Sequence, residues 1–155
     1  MEPVINQIHK LLLKRKLTVS VAESCTGGIL SNFLTYSPGS SKYFVSGIVA
    51  YSNEAKARLL SIPRRVIAKN GAVSKQVALL MAKNVRKIAQ TDFGIGVTGI
   101  AGPSGATPEK PVGMVFIAVA TKTKTTCKKF NFRGSRATVR KTAALKVLEL
   151  LAESI

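Results

Sequence analysis

The sequence predicts a three-layer α/β domain, and two patterns carry that expectation. Short apolar, β-branched runs alternate with longer segments whose apolar residues recur at helical spacing. One run, Val112–Ala120, is apolar throughout, as a strand covered on both faces requires. A chain of 155 residues with 46% hydrophobic and 20% charged residues is large enough to bury one substantial core and too apolar to remain disordered. One domain over residues 1–155 is the expectation.

Residues 2–16 place Val4, Ile8, Leu11 and Leu12 at helical spacing, and a strand follows over 18–24. Residues 26–36 read as a helix that Ser37-Pro-Gly39 ends. A second β-rich run at 44–51 leads into Ser52-Asn-Glu-Ala, where Ser52 or Asn53 caps a helix carrying Lys56 and Leu59. Pro63 ends that helix or opens a short turn. Ser74 caps a helix through Gln90 with Val77, Met81, Val85 and Ile88 on one face, and a strand at 93–98 comes next. Residues 99–111 hold three glycines and three prolines, hence a loop. The apolar run at 112–120 belongs in the centre of the sheet. The more polar run at 124–132 belongs nearer an edge, and its short connection makes that pair antiparallel. A last helix over 135–153 buries Ala144, Leu148 and Leu151.

The inventory of reactive groups excludes several function classes. His9 is the only histidine, and its place between Ile8 and Leu11 assigns it to the surface, so a zinc site and a Ser-His-Asp triad both lack parts. Seven acidic residues are scattered, which gives neither a carboxylate dyad nor a magnesium shell; no metal and no cofactor are expected. Cys25 and Cys127 stand in separate elements without a paired framework, as in a reducing compartment. No apolar run approaches the roughly 20 residues that span a bilayer, and no cleavable leader is evident, so a cytoplasmic protein without a membrane partner is expected. The net charge of +17 attracts phosphates. The basic residues are spread along the chain without a zinc-finger or RNP-type motif, so nucleic-acid binding is expected to be nonspecific at most.

Three segments offer chemistry. Val19–Gly28 runs an apolar strand into Ser24 and then into a helix start with Gly27 and Gly28, where Ser24 is either a nucleophile at converging amides or a helix cap. Cys25 is a second nucleophile candidate or a small buried thiol. Ala50-Tyr51-Ser-Asn-Glu-Ala-Lys56 is another strand-to-helix junction carrying a phenol and a lysine. Gly94-Ile-Gly96-Val-Thr-Gly99 matches a dinucleotide-binding pattern, but its glycines fall inside a strand and no helix follows; a Rossmann site is rejected. The overlapping Thr98–Gly105 is either an anion nest or an ordinary turn. Arg133, Arg136 and Arg140 either hold a phosphate or form a basic helix face.

Taken in order, Ala22-Glu-Ser-Cys-Thr-Gly-Gly28, Ala50–Leu60, Gly71-Ala-Val-Ser74, Val97-Thr-Gly-Ile-Ala-Gly-Pro103 and Lys110-Pro-Val-Gly113 resemble the CinA carboxy-terminal domain family, which includes nicotinamide-nucleotide amidases. The resemblance implies an α/β/α sandwich around a mixed, mostly parallel sheet of about five strands, and a homo-oligomer, commonly a dimer. It implies hydrolysis of the carboxamide of nicotinamide mononucleotide to nicotinic acid mononucleotide and ammonia, with Ser24 as nucleophile, Lys56 as general base, and Tyr51 and Thr98 beside the reacting groups. Cys25, Thr26, Gly27 and Gly28, with Gly99, Gly102, Arg136 and Arg140, are then the substrate-binding set. The pattern departs from the family at Ser104, at Lys75-Gln76 and at Ser135. A catalytically silent member that binds nucleic acid or protein is the competing expectation, which the charge favours.

Overall fold

The computed structural model describes residues 2–155. In chain order the elements are α1 (Glu2–Arg15), β1 (Val19–Glu23), α2 (Ile29–Leu34), β2 (Phe44–Val49), α3 (Asn53–Leu60), α4 (Arg64–Asn70), α5 (Lys75–Ala89), β3 (Phe93–Gly99), β4 (Met114–Ala120), β5 (Thr125–Asn131) and α6 (Arg136–Ser154), with a 3₁₀ turn at Ser40–Lys42. The five strands form one sheet in the order β2-β1-β3-β4-β5. β1 is parallel to both β2 and β3, while the β3–β4 and β4–β5 pairs are antiparallel. β4 therefore runs alone against the other four strands, and the sheet is mixed but mostly parallel, as expected.

Helices cover both faces. On one side α1, α2 and α6 pack Ile5, Ile8, Leu12, Leu30, Val147, Leu148 and Leu151 against Val21, Ile95, Val97 and Ile117. On the other, α3, α4 and α5 supply Leu60, Ile67, Val77, Met81 and Val85 against Ala22 and Ala50, and Ala78 and Ala82 meet Ala118 and Ala120. The alternation of small and large residues along β3 explains its unusual sequence. Ile95 and Val97 face the α1–α6 layer, and Gly94 and Gly96 face α5 so closely that a Cβ at either would collide with the main chain of Ala78 or Ala82. The dinucleotide-like glycines thus serve helix–sheet contact.

Several expectations are corrected. Ile88 is 53% exposed: the buried stripe of α5 ends at Val85, because the helix runs past the sheet there. Pro63 starts a full helix, α4, whose brevity and basic content hide its periodicity. α2 begins at Ile29 instead of 26, since residues 24–28 are spent on a tight turn. β4 is interior but not central; β3 holds the middle, and the chain returns through the 100–113 loop to make a second antiparallel pair. His9 is half-buried, its Nδ1 3.1 Å from the Tyr43 hydroxyl, which itself donates to Leu34 O. β5 is an edge strand with a polar outer pattern, as anticipated. Among the described residues no helix is long and apolar enough to cross a membrane.

Replacing Gly96 with Ala is expected to lower stability by about 1–3 kcal/mol, the usual range for overpacking a filled core. A urea midpoint unchanged from the parent would show that α5 can move away from β3.

Candidate active site

β1, β2 and β3 end at one level. Glu23 pairs with Val49 on one side and Val97 on the other, so the residues just beyond these strands meet at their carboxyl ends, the usual ligand end of an open α/β sheet. Ser24 N–H donates to Val97 O at 3.0 Å, placing Ser24 beside Thr98. α3 starts two residues after Tyr51, capped by Ser52 Oγ accepting from Ala55 N–H at 3.0 Å, and its first turn aims Lys56 back over the strand ends.

Lys56 is 1% exposed. Its Nζ lies 3.0 Å from each of three oxygens: Ser24 Oγ, Ala50 O and Tyr51 O. The two carbonyls can only accept. As an ammonium Lys56 gives one N–H to each of the three oxygens; as a neutral amine it gives two to the carbonyls and turns its lone pair to the Ser24 hydroxyl. Burial pushes the Lys56 pKa below its ordinary value, and the nearby Cys25 acts in the opposite direction only as a thiolate. Burial pushes the Cys25 thiol up to about 12, so it stays protonated and does not offset the lowering at Lys56. The geometry places the Ser24 hydroxyl in direct contact with the Lys56 amine.

The turn after Ser24 is held from two sides. Glu23, fully buried, accepts from Gly28 N–H (3.0 Å), Leu30 N–H (3.1 Å), Ser31 N–H (2.8 Å) and the Ser31 hydroxyl (2.6 Å). It therefore occupies the amino end of α2, which is closed to any other anion. Arg140 donates through Nε to Cys25 O (3.1 Å) and through one terminal nitrogen to Thr26 O (3.0 Å). A Cβ on Gly27 would come within 2.8 Å of that guanidinium, so this glycine, with φ at 55°, accommodates an arginine and not a ligand. Gly28, with φ at 96°, serves the turn. Among the described residues the N–H groups of Cys25 and Thr26 donate to no other group, and Thr26 Oγ1 is buried without a partner.

An open cleft of about 310 Å³ lies over these groups. Ser24, Cys25, Tyr51, Lys56, Thr98, Gly99, Gly102 and Arg136 line it, together with the 72–73 and 100–105 stretches. Thr98, 1% exposed, donates its hydroxyl to Ala72 O at 2.9 Å, tying the strand end to the loop before α5. Arg136 donates to Gly102 O (2.9 Å) and to the Tyr51 hydroxyl (2.8 Å), so α6, capped by Ser135, is latched to the cleft rim. Thr26, Gly27, Gly28 and Arg140 stand behind the cleft as its frame. The roles of Glu23, Ala72 and Val73 were not foreseen; an acidic residue closing an apolar strand just before a helix without its own side-chain cap is the signal that marks Glu23.

The described fold and site define an α/β/α domain with a serine hydroxyl and a buried lysine meeting at parallel strand ends. The CinA C-terminal domain model matches residues 1–155, and the chain belongs to that family. It is similar to a CinA-like protein of Endomicrobium trichonymphae, 49% identical over 142 residues that cover 92% of this chain and 33% of that protein. A CinA-like protein of Geobacter metallireducens is 43% identical over 150 residues, covering 97% of this chain and 36% of that one. The chain thus spans about a third of the length of the curated relatives it matches. Among solved structures, competence/damage inducible protein CihA from Agrobacterium tumefaciens superposes with a TM-score of 0.95 at 35% identity, covering 98% of this chain and 93% of that one. A competence-damaged protein (CinA) superfamily member from Escherichia coli gives 0.93 at 30% identity, covering 98% and 88%.

Glu23→Ala is expected to cost about 3 kcal/mol, because it leaves one buried and two half-buried amides without an acceptor. Glu23→Gln should cost less, since one carbonyl oxygen remains to accept. Equal chemical-denaturation midpoints for the two variants would contradict this account of the turn.

Proposed function

We propose that the cleft hydrolyses the carboxamide of nicotinamide mononucleotide, releasing ammonia and nicotinic acid mononucleotide. The observation that carries the reading is the buried Lys56 amine, its Nζ 3.0 Å from the Ser24 hydroxyl, where its neutral form is placed to act as base. Family membership is consistent with it.

In the first half-reaction Lys56 takes the Ser24 proton while Oγ attacks the carboxamide carbon. The tetrahedral oxyanion falls to the unpaired amide of Cys25, which lines the cleft, a donor type worth roughly 2.7–4 kcal/mol in sites of this kind. Collapse breaks the C–N bond, and the Lys56 ammonium returns its proton to the leaving nitrogen, giving ammonia and an acyl-serine. Water then attacks the ester with Lys56 again as base, and Ser24 leaves as the carboxylate product forms. Thr98 and Tyr51 fix the walls on either side. The phosphate is assigned to Arg136 and to the loop amides of Ala101, Gly102, Ser104 and Gly105, which donate to nothing else among the described residues. Arg140 supports the oxyanion turn from behind.

Ammonia release from nicotinamide mononucleotide, with nicotinamide riboside and free nicotinamide for comparison, tests the substrate. Ser24→Ala and Lys56→Met should each lose at least a thousandfold in kcat while circular dichroism stays unchanged. Activity should rise with pH along a limb whose midpoint lies below the ordinary lysine value of 10.5, because the neutral amine is the working form. The same burial makes folding stability rise with pH between that lowered pKa and 10.5, since the unfolded chain holds the extra proton there. A rate that falls as pH rises toward that midpoint would exclude Lys56 as base.

Arg136→Gln should raise KM for the mononucleotide more than for the riboside, the mark of a lost phosphate contact. Arg140→Gln should instead lower kcat for both substrates alike by loosening the turn. Steady-state constants for the four combinations decide the assignment.

A further inference from the structure

A second cavity, of about 440 Å³, opens away from the Ser24 cleft, between the carboxyl-terminal half of α5 and the turn joining β4 to β5. Lys83, Arg86, Lys87, Lys122 and Lys124 line it, with threonine hydroxyls between them. The surrounding elements are one-signed: Lys75–Ala89 and Met114–Asn131 contain eight lysines and arginines and no aspartate or glutamate. The nearest acid is Asp92, whose Oδ1 is 3.8 Å from Lys122 Nζ; its Oδ2 is taken by the Thr18 amide and hydroxyl. Arg86 spends its Nε on Asp92 O. Lys83, Lys87 and Lys124 have no ion-pair partner among the described residues.

Like charges gathered around a concavity repel one another, and the nearby fold contains little to offset that repulsion. Cations near the carboxyl end of α5 favour its dipole, which accounts for Arg86 and Lys87 but not for Lys122 and Lys124 on the facing turn. That turn is also fixed in shape. The Thr121 hydroxyl accepts from Thr123 and Lys124 N–H and donates to Lys124 O, presenting both lysines on an ordered scaffold. An ordered arc of exposed cations around a concavity suits a flexible polyanion, which can follow its curve, better than a flat bilayer. The cavity carries no aromatic side chain to stack a base, so only the backbone is read.

We propose that this cleft binds the phosphodiester backbone of single-stranded nucleic acid, without sequence preference and independently of the Ser24 site. The test uses a fluorescently labelled mixed-sequence DNA 20-mer, its anisotropy followed against the full chain over a series of KCl concentrations. The variant Lys83→Gln/Lys122→Gln/Lys124→Gln is compared with Lys10→Gln/Lys14→Gln/Lys42→Gln, which removes the same charge from exposed positions elsewhere. The cleft variant should bind at least about tenfold more weakly, and the slope of log K against log salt should fall by about two, at roughly 0.7 per phosphate contact on a single strand. The control should change affinity less than about twofold, with matching thermal midpoints showing that both variants fold. Equal losses in the two variants would overturn the proposal in favour of diffuse attraction. Displacement of the strand by inorganic tripolyphosphate at concentrations where KCl of equal ionic strength does nothing would overturn it in favour of a small phosphate ligand.

Discussion

Enclosing a lysine amine is the constraint on which the rest of this structure depends. A buried amine is costly unless its hydrogens are bonded, and Lys56 sits where two main-chain carbonyls and the Ser24 hydroxyl surround its nitrogen. Those carbonyls belong to Ala50 and Tyr51, so the end of β2 must stop there and α3 must begin within the next two residues. Ser24 must then arrive from β1 at the same height. The parallel pairing of β1 with both neighbours supplies that coincidence, because its shared register brings three strand ends to one line. The Gly94 and Gly96 contacts hold α5 against the middle strand and so keep that line from shifting.

The turn after Ser24 shows how a charged residue can serve a site without entering it. Glu23 and Arg140 are opposite in sign, close to the same turn, and yet neither pairs with the other; each is consumed by main-chain groups of the opposite polarity. The carboxylate takes the amides that open α2, and the guanidinium takes the carbonyls of Cys25 and Thr26. What remains without a hydrogen-bond partner on the turn, among the described residues, are the amides of Cys25 and Thr26 and the carbonyl of Gly27.

Much of this was legible in the chain. Hydrophobic period located ten of the eleven main elements because each buries one face, and the run at 114–120 declared itself by having no polar side. The capping serines at 52 and 74 were readable, the first beside Asn53 as an alternative, because a hydroxyl before a helical pattern has one dominant local use, whereas the cap at Ser135 emerged from the structure. α4 was missed because seven residues with three consecutive apolar side chains give no period to detect. The Ser24–Lys56 meeting was available only through the family resemblance, since no local rule brings residues 32 apart in sequence to hydrogen-bonding distance. The same limit hid Glu23 and the partners of Arg140: those partners are mainly main-chain groups, which every residue carries and no pattern distinguishes.

The two charged regions of the molecule obey different physics, and this separates what can vary from what cannot. Interactions around Lys56, Glu23 and Arg140 are short, desolvated contacts, little affected by dissolved ions. The α5–β5 face is exposed, so its field decays over a Debye length of about 8 Å at physiological salt. Changes there alter the attraction of distant anions with little consequence for the packing beneath, where Ala78, Ala82, Ala118 and Ala120 form a thin apolar contact of their own. A charge of +17 can therefore accumulate on such a surface while the cleft keeps its geometry. The strand ends fix the Ser24–Lys56 cleft through burial, while the α5–β5 face carries its charge as an adjustable coat.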